Sequence, residues 1–253
     1  MFEDKADLAG LTKSGKILSK ILNEIKFKIS NGERDLYEIN RFTKSSLSEM
    51  NARSAFKNYQ PDFASQPFPF YLCASVNDEL VHGLPSKNKF LKEGDIVSID
   101  LGIEHDGWFA DAAFTIGIGT IKENHQLLIE NTEKAFEAGL QQCLVDKYLG
   151  DVGAAIHEQA VDSSLSVALC LMGHGIGKSL HEKPDVYNFG KPGTGYQIHE
   201  GLSICIEPIF IDGTYSIKEE DDGWTLKTSD GSFASHYEHT VAITKDGPIV
   251  LTR

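Results

Sequence analysis

Apolar positions recur along this chain with two different periods, and the changes of period mark its elements. From Leu11 to Phe27 the residues Ile17, Leu18, Ile21, Leu22 and Ile25 return every three or four positions, which predicts an amphipathic helix. Lys13, Lys16, Lys20 and Lys26 lie among them and predict a solvated helix face, with contact to an acidic partner such as ribosomal RNA as the second reading. A further helical stretch covers about Leu36 to Asn51. It is followed by "NYQPDFASQPFPFY", a loop without period whose phenylalanines either cap a core or wall a pocket. A strand is expected near Leu72 to Val76. The period is then plainly two: Val97, Ile99, Leu101 and Ile103 alternate with Ser98, Asp100, Gly102 and Glu104. After "GIGTIKEN" the helical period returns, with Leu128, Thr132, Ala135, Phe136, Gly139 and Leu140 on one face. A shorter helix follows Asp151, the expected N-cap. From Ala168 onward strands and loops are expected. Helices leading each half and strands trailing it predict an α+β fold without a linker, a single domain over residues 1–253. There is no internal repeat and no phosphate-binding glycine loop of the required spacing.

Asp106-Gly107 is a strong two-residue hairpin signal, because a type I′ turn needs positive φ at both central positions. If those residues form the turn, His105 faces Trp108 and Asp111 falls opposite Gly102. Asp111 is then the diagonal, same-face neighbour of Asp100. Two like charges that close repel. Either the polar face of this hairpin is wet, or a cation sits between the acids with Gly102 leaving room for it.

Composition narrows the classes. A net charge of −13 over 253 residues argues against nucleic acid or an anionic membrane surface as the main partner. The opening "MFEDKADLAG" lacks an apolar core, so no secretory leader is expected, and the apolar run "VALCLM" is far too short to span a bilayer. Cys73, Cys143, Cys170 and Cys205 are scattered, with no CxxC pair, and are expected to be buried thiols in a reducing cytoplasm.

The later polar residues carry more. "MGHGIGKSLHEKP" places His174 and His181 among Gly173, Gly175 and Gly177, glycines that suggest close approach to the backbone. In "LSICIEPIFI", 202–211, Glu207 interrupts what reads as a strand buried on both faces, and "SHYEHTVAIT" repeats the situation with Glu238. An unpaired buried carboxylate is costly, and neither run contains a Lys or Arg. Asp100, Asp111, His174, Glu207 and Glu238 thus offer four carboxylates and one imidazole, a set suited to two hard or borderline ions such as Mn, Fe, Co or Zn. Two such ions bridged by carboxylates activate water and a carbonyl together, which is hydrolase chemistry.

Taken in order, "VHGLP", "SIDLGIEHDGWFAD", "GHGIGKSLHEKP", "ICIEPIF", "DGWTLKT" and "YEHTVAIT" resemble the type I methionine aminopeptidases, over nearly the whole chain from "LTKSGKIL" to "VAIT". The resemblance implies the pita-bread fold, two pseudo-symmetric halves with an antiparallel sheet covered by helices around a dinuclear metal centre. It implies removal of the initiator methionine from nascent chains in the cytoplasm, by a monomer in transient contact with the ribosome. Carried over by position, Asp100 chelates one metal, Asp111 and Glu238 bridge both, and His174 and Glu207 complete the other. His82 would lie beside the scissile amide nitrogen, and His181 would donate to the developing oxyanion. Glu207 would take a proton from the attacking water and pass it to the leaving amine. His239, beside Glu238 but on the opposite strand face, is expected to be structural or to support the ligands from behind.

The resemblance also places a methionine pocket at Tyr59, Phe68, Cys73, Leu180 and Trp224, beside His82 and His181. Two departures bear on it. Extra residues separate Tyr59 from Phe68, and Leu180 stands where an aromatic is usual. Only 25 residues lie between His181 and Glu207, so the long insertion of the type II enzymes is absent, and no zinc-finger extension is expected ahead of the helices. Two other functions share these ligands or this fold: a proline-specific aminopeptidase and a non-catalytic binding scaffold. The "DGWTLKT" and "CASVND" surroundings favour methionine, and the full ligand set favours catalysis.

Overall fold

The computed structural model describes residues 2, 4–62 and 64–253, so Met1, Glu3 and Phe63 of the Pro- and Phe-rich loop lie outside the described residues. Its helices are α1 (Lys5–Ser30), α2 (Leu36–Glu49), α3 (Glu123–Leu140) and α4 (Leu149–Asp162). Helix α1 overruns the apolar stripe at both ends, where Asp7 in its first turn and Lys28 in its last complement the helix dipole. Asp35 caps α2, its Oδ1 accepting the Tyr37 amide at 2.9 Å. The start of α4 differs from expectation: Tyr148 is the N-cap, and Asp151 sits in the first turn. Its Oδ2 reaches back to the Tyr148 amide at 2.8 Å, a carboxylate satisfying the helix end from inside.

A nine-stranded antiparallel sheet organises the molecule. Its main path runs Arg53–Ser54, Ile96–His105, Trp108–Gly117, Glu238–Thr244, Ser203–Ile206, Met172–Gly175, Glu182–Tyr187, with Cys73–Val76 and Gly247–Val250 pairing beside it. Val97, Ile99, Leu101 and Ile103 pack against Leu18, Ile21 and Ile25 of α1 and Leu36 and Ile39 of α2. Ile204, Ile206, Val241 and Ile243 pack with Leu128 and Phe136 of α3 and Val152 and Ile156 of α4. Each helix pair thus covers the strands of its own half.

The strand expected over 202–211 is broken in two. Ser203–Ile206 belongs to the large sheet, whereas Ile209–Ile211 joins a three-stranded sheet with Ala234–His236 and Ser166–Val167. Pro208 stands at the break; it has no amide hydrogen for a ladder, so the chain can turn there. The 235–244 run changes sheets alongside it: His236 pairs with Ile209 in the small sheet and His239 with Ile206 in the large one. Two neighbouring strands therefore change sheets together, and Glu207, His236 and Glu238 sit at that crossing.

Candidate metal centre

The hairpin has the register that its turn demands. Asp106 and Gly107 have φ of 52° and 80°, His105 faces Trp108 and Gly102 faces Asp111, which leaves Asp111 diagonal to Asp100. Its polar face is not wet. Asp100 and Asp111 are buried, Ser98 is hydrogen-bonded to Thr115 at 2.7 Å, and Glu104 pairs with Arg53 at 2.6 Å. Gly102 serves a different neighbour from the one its position suggests. A Cβ there would meet Phe56 Cε1 at 2.6 Å and Leu180 Cδ1 at 3.1 Å, so its missing side chain makes room for a pocket wall, not for a cation.

The structure brings the five expected ligands together with two further side chains, Cys205 and His236. Glu238 is common to three groupings whose ligand atoms lie within 4.8 Å of one another: with Asp100 and Asp111, with His174 and Cys205, and with Glu207 and His236. His174 Nε2 lies 3.7 Å from Glu238 Oε1. Its Nδ1 is 2.9 Å from the Gly175 carbonyl, a contact that places the ring proton on Nδ1 and frees Nε2 as a donor to a metal. Thr240 Oγ1 accepts from the Asp111 amide at 2.9 Å and donates to the Asp111 carbonyl at 2.8 Å, fastening the hairpin to the Glu238 strand.

So many acids in one interior are electrostatically frustrated. Burial, then the charge of Glu238, pushes the carboxyls of Asp100, Asp111 and Glu207 above the usual carboxylate range. Burial also opposes ionisation of Glu238, but the nearby His236, with His174 adding to it, outweighs burial and holds this acid low. His236 in turn is pushed up to about 10 by Glu207 and Glu238 despite its own burial. Asp100 Oδ1, Asp111 Oδ1 and Glu238 Oε1 are buried without hydrogen-bond partners. Unpartnered carboxylate oxygens converging in a dry site suit divalent cations, which would hold all four acids in the anionic state.

Above this cluster opens a cavity of about 500 Å³, the size of a small-ligand site. Phe56, Phe68, Cys73, Leu180 and Trp224 form its apolar wall with Tyr59 packed against them. Phe68 meets Trp224 edge to face at 5.1 Å, and Leu180 fills the place between aromatics. Phe68 is tied to the start of its loop: its amide donates to the Tyr59 carbonyl at 2.8 Å and its carbonyl accepts from the Asn58 amide at 2.9 Å. Between them Pro61 lines the cavity and Ala64 is buried in the wall. Cys73 pairs with Asp100 in the sheet and joins the apolar wall to the acids. Both remaining histidines line the cavity: His82 stacks edge-on to Trp224 at 6.0 Å, and His181 Nδ1 is 2.7 Å from the Tyr59 hydroxyl. Burial pushes each of them down to about 4, so both rings are neutral near pH 7.

Two residues lie otherwise than the sequence suggests. Cys170 is exposed at the cavity mouth, whereas Cys73, Cys143 and Cys205 are buried free thiols as expected. His236 is not among the residues the motifs single out, although it stands two positions before Glu238 and so shares its face in an extended chain. His239, on the other face, is tied to Thr252 at 2.8 Å and Tyr237 at 3.1 Å, and is structural as expected.

Comparison with known proteins identifies the family and the fold. Residues 9–245 match metallopeptidase family M24. A methionine aminopeptidase of Clostridium perfringens is 40% identical over 250 residues, covering 99% of this chain and 96% of that protein. One of Aquifex aeolicus is 38% identical, covering 97% and 96%. The crystal structure of a methionine aminopeptidase from Thermotoga maritima superposes with a TM-score of 0.94 at 33% identity, covering 100% of this chain and 99% of that one. The curled antiparallel sheet with a helix pair on each half is the pita-bread fold, and the chain belongs to metallopeptidase family M24.

Proposed function

We propose that the protein is a methionyl aminopeptidase, hydrolysing the first peptide bond of chains that begin with methionine. The observation that carries this reading is one cavity with two ends: a floor of four converging carboxylates and an aromatic, thiol-bearing wall sized for a thioether side chain. In this reading Asp100, Asp111, His174, Glu207 and Glu238 hold two divalent ions, with Fe, Mn, Co or Zn suited to the donor set. When bound, the ions polarise the scissile carbonyl and lower the pKa of water.

The chain's own residues do the rest. Glu207, at the sheet crossing and only partly exposed, takes the proton of the attacking water and delivers it to the leaving amine. The Tyr59 hydroxyl donates to His181 Nδ1, which sets the tautomer that carries its proton on Nε2, and that N–H donates to the oxyanion. His82, neutral and braced against Trp224, lies beside the scissile nitrogen. The wall of Phe68, Cys73, Leu180 and Trp224 holds the methionine side chain away from water. We assign the whole of residues 1–253 to one catalytic domain that acts as a monomer on nascent chains in the cytoplasm, with at most transient contact with the ribosome. No helix among the described residues is long and apolar enough to cross a membrane.

Turnover of Met-Ala-Ser and Ala-Pro-Ala peptides by metal-loaded protein tests the assignment. Release of methionine from the first alone is expected. Cleavage of the second alone would establish a proline-specific enzyme, and a folded protein that binds no metal would establish a scaffold.

A further inference from the structure

The chemistry above gives His236 no task, yet the crossing of the two strands places it among the ligands. Its side chain is 1% exposed, and Nε2 lies 3.1 Å from Glu207 Oε1 and 3.6 Å from Glu238 Oε2. The nearer contact lacks hydrogen-bond alignment, and Nε2 is left as a buried nitrogen with no hydrogen-bond partner. Adjacent ligand atoms around an ion with bonds of about 2.1 Å are separated by roughly 3.0 Å at right angles and roughly 3.4 Å at the tetrahedral angle. The Glu207–His236 separation is that of two ligands on one ion, and these atoms with Glu238 lie within 4.8 Å of one another.

We propose that His236 is itself a metal ligand, adding a second imidazole nitrogen to the ion that Glu207 and Glu238 hold. This rests on the metallopeptidase reading above and changes its ligand set from one nitrogen to two. A donor set richer in imidazole favours Co and Zn over Mn, so His236 tunes which ion occupies that position.

The substitution His236→Gln keeps a long polar side chain able to hydrogen-bond Glu207 but removes the imidazole. Calorimetric titration of the metal-free wild-type protein and variant with Co²⁺ and Mn²⁺, together with the visible spectrum of the Co²⁺ forms, reads the change. Expected is a 10- to 100-fold loss of Co²⁺ affinity, on the order seen when a metal site loses a supporting group, with a smaller loss for Mn²⁺ and an altered Co²⁺ spectrum. Unchanged Co²⁺ affinity and spectrum in a folded variant would overturn the proposal and leave His236 as a hydrogen-bonding neighbour of Glu207.

A crystal of the wild-type protein soaked in Co²⁺ decides the matter even if the variant fails to fold. An anomalous peak within about 2.2 Å of His236 Nε2 supports the ligand. Ions bound by the carboxylates with Nε2 more than about 3 Å away from each would overturn it while leaving the proposed function intact. No ion among the acids would end both.

Discussion

The floor and the wall of the cavity are built by different means. Floor residues sit on strands in the middle of the large sheet, or at the crossing beside it, and their positions follow from ladder register: Gly102 opposite Asp111 and Glu238 opposite Ala113. Apart from Cys73, whose strand pairs with that of Asp100, wall residues come from loops around Phe56 to Phe68, Leu180 and Trp224, which meet only because the chain folds over the sheet. Ligand geometry thus rests on hydrogen-bonded strands and side-chain selection mostly on loops, which as a class tolerate change better.

If that contrast holds, damage to the floor abolishes chemistry and damage to the wall alters selection. Asp111→Asn keeps the shape but removes a carboxylate from the cluster. Its turnover of Met-Ala-Ser is expected to fall by about 10³-fold or more, the loss of several kcal/mol of metal-borne stabilisation, with a parallel drop in bound metal by elemental analysis. Trp224→Ala opens the wall. Its kcat/KM is expected to fall about 10- to 100-fold, mainly through KM, with metal content unchanged and stability lower by about 3 kcal/mol in urea unfolding.

The boundary between floor and wall is sensitive to pH. Burial, and then the charge of His236, holds His82 to about 4, whereas an unfolded histidine titrates near 6.5. Between those values the unfolded chain binds a proton that the folded chain refuses. Stability from this group is therefore complete above about pH 6.5 and is lost as pH falls through 4, by up to about 3 kcal/mol. Urea unfolding of metal-free protein at pH 7 and pH 4.5 should show a smaller loss in His82→Asn than in the parent. An equal loss would mean that His82 is not dehydrated. Smallest of all is Tyr59→Phe, which removes one hydroxyl from the wall and with it the bond that sets the tautomer of His181. A fall in kcat of about tenfold with KM unchanged is expected, the worth of one hydrogen bond near 1.4 kcal/mol. A change in KM alone would make Tyr59 a wall residue only.

Local pattern and turn chemistry determined the α+β order, the hairpin register and the diagonal pairing of Asp100 with Asp111, because strand side chains repeat every second residue and the Asp-Gly turn fixes the count. The burden of buried acids without a nearby Lys or Arg pointed to cations before any distance was known. Only the tertiary structure showed that the 202–211 run breaks at Pro208, that Gly102 accommodates Phe56, and that Asp151 lies inside α4. It alone showed His236 against Glu207. Those facts depend on which segments, far apart in the chain, come to lie side by side, and on the volume each leaves to the other. Period and composition carry no record of such long-range contacts, which arise when two halves pack around one shared interior.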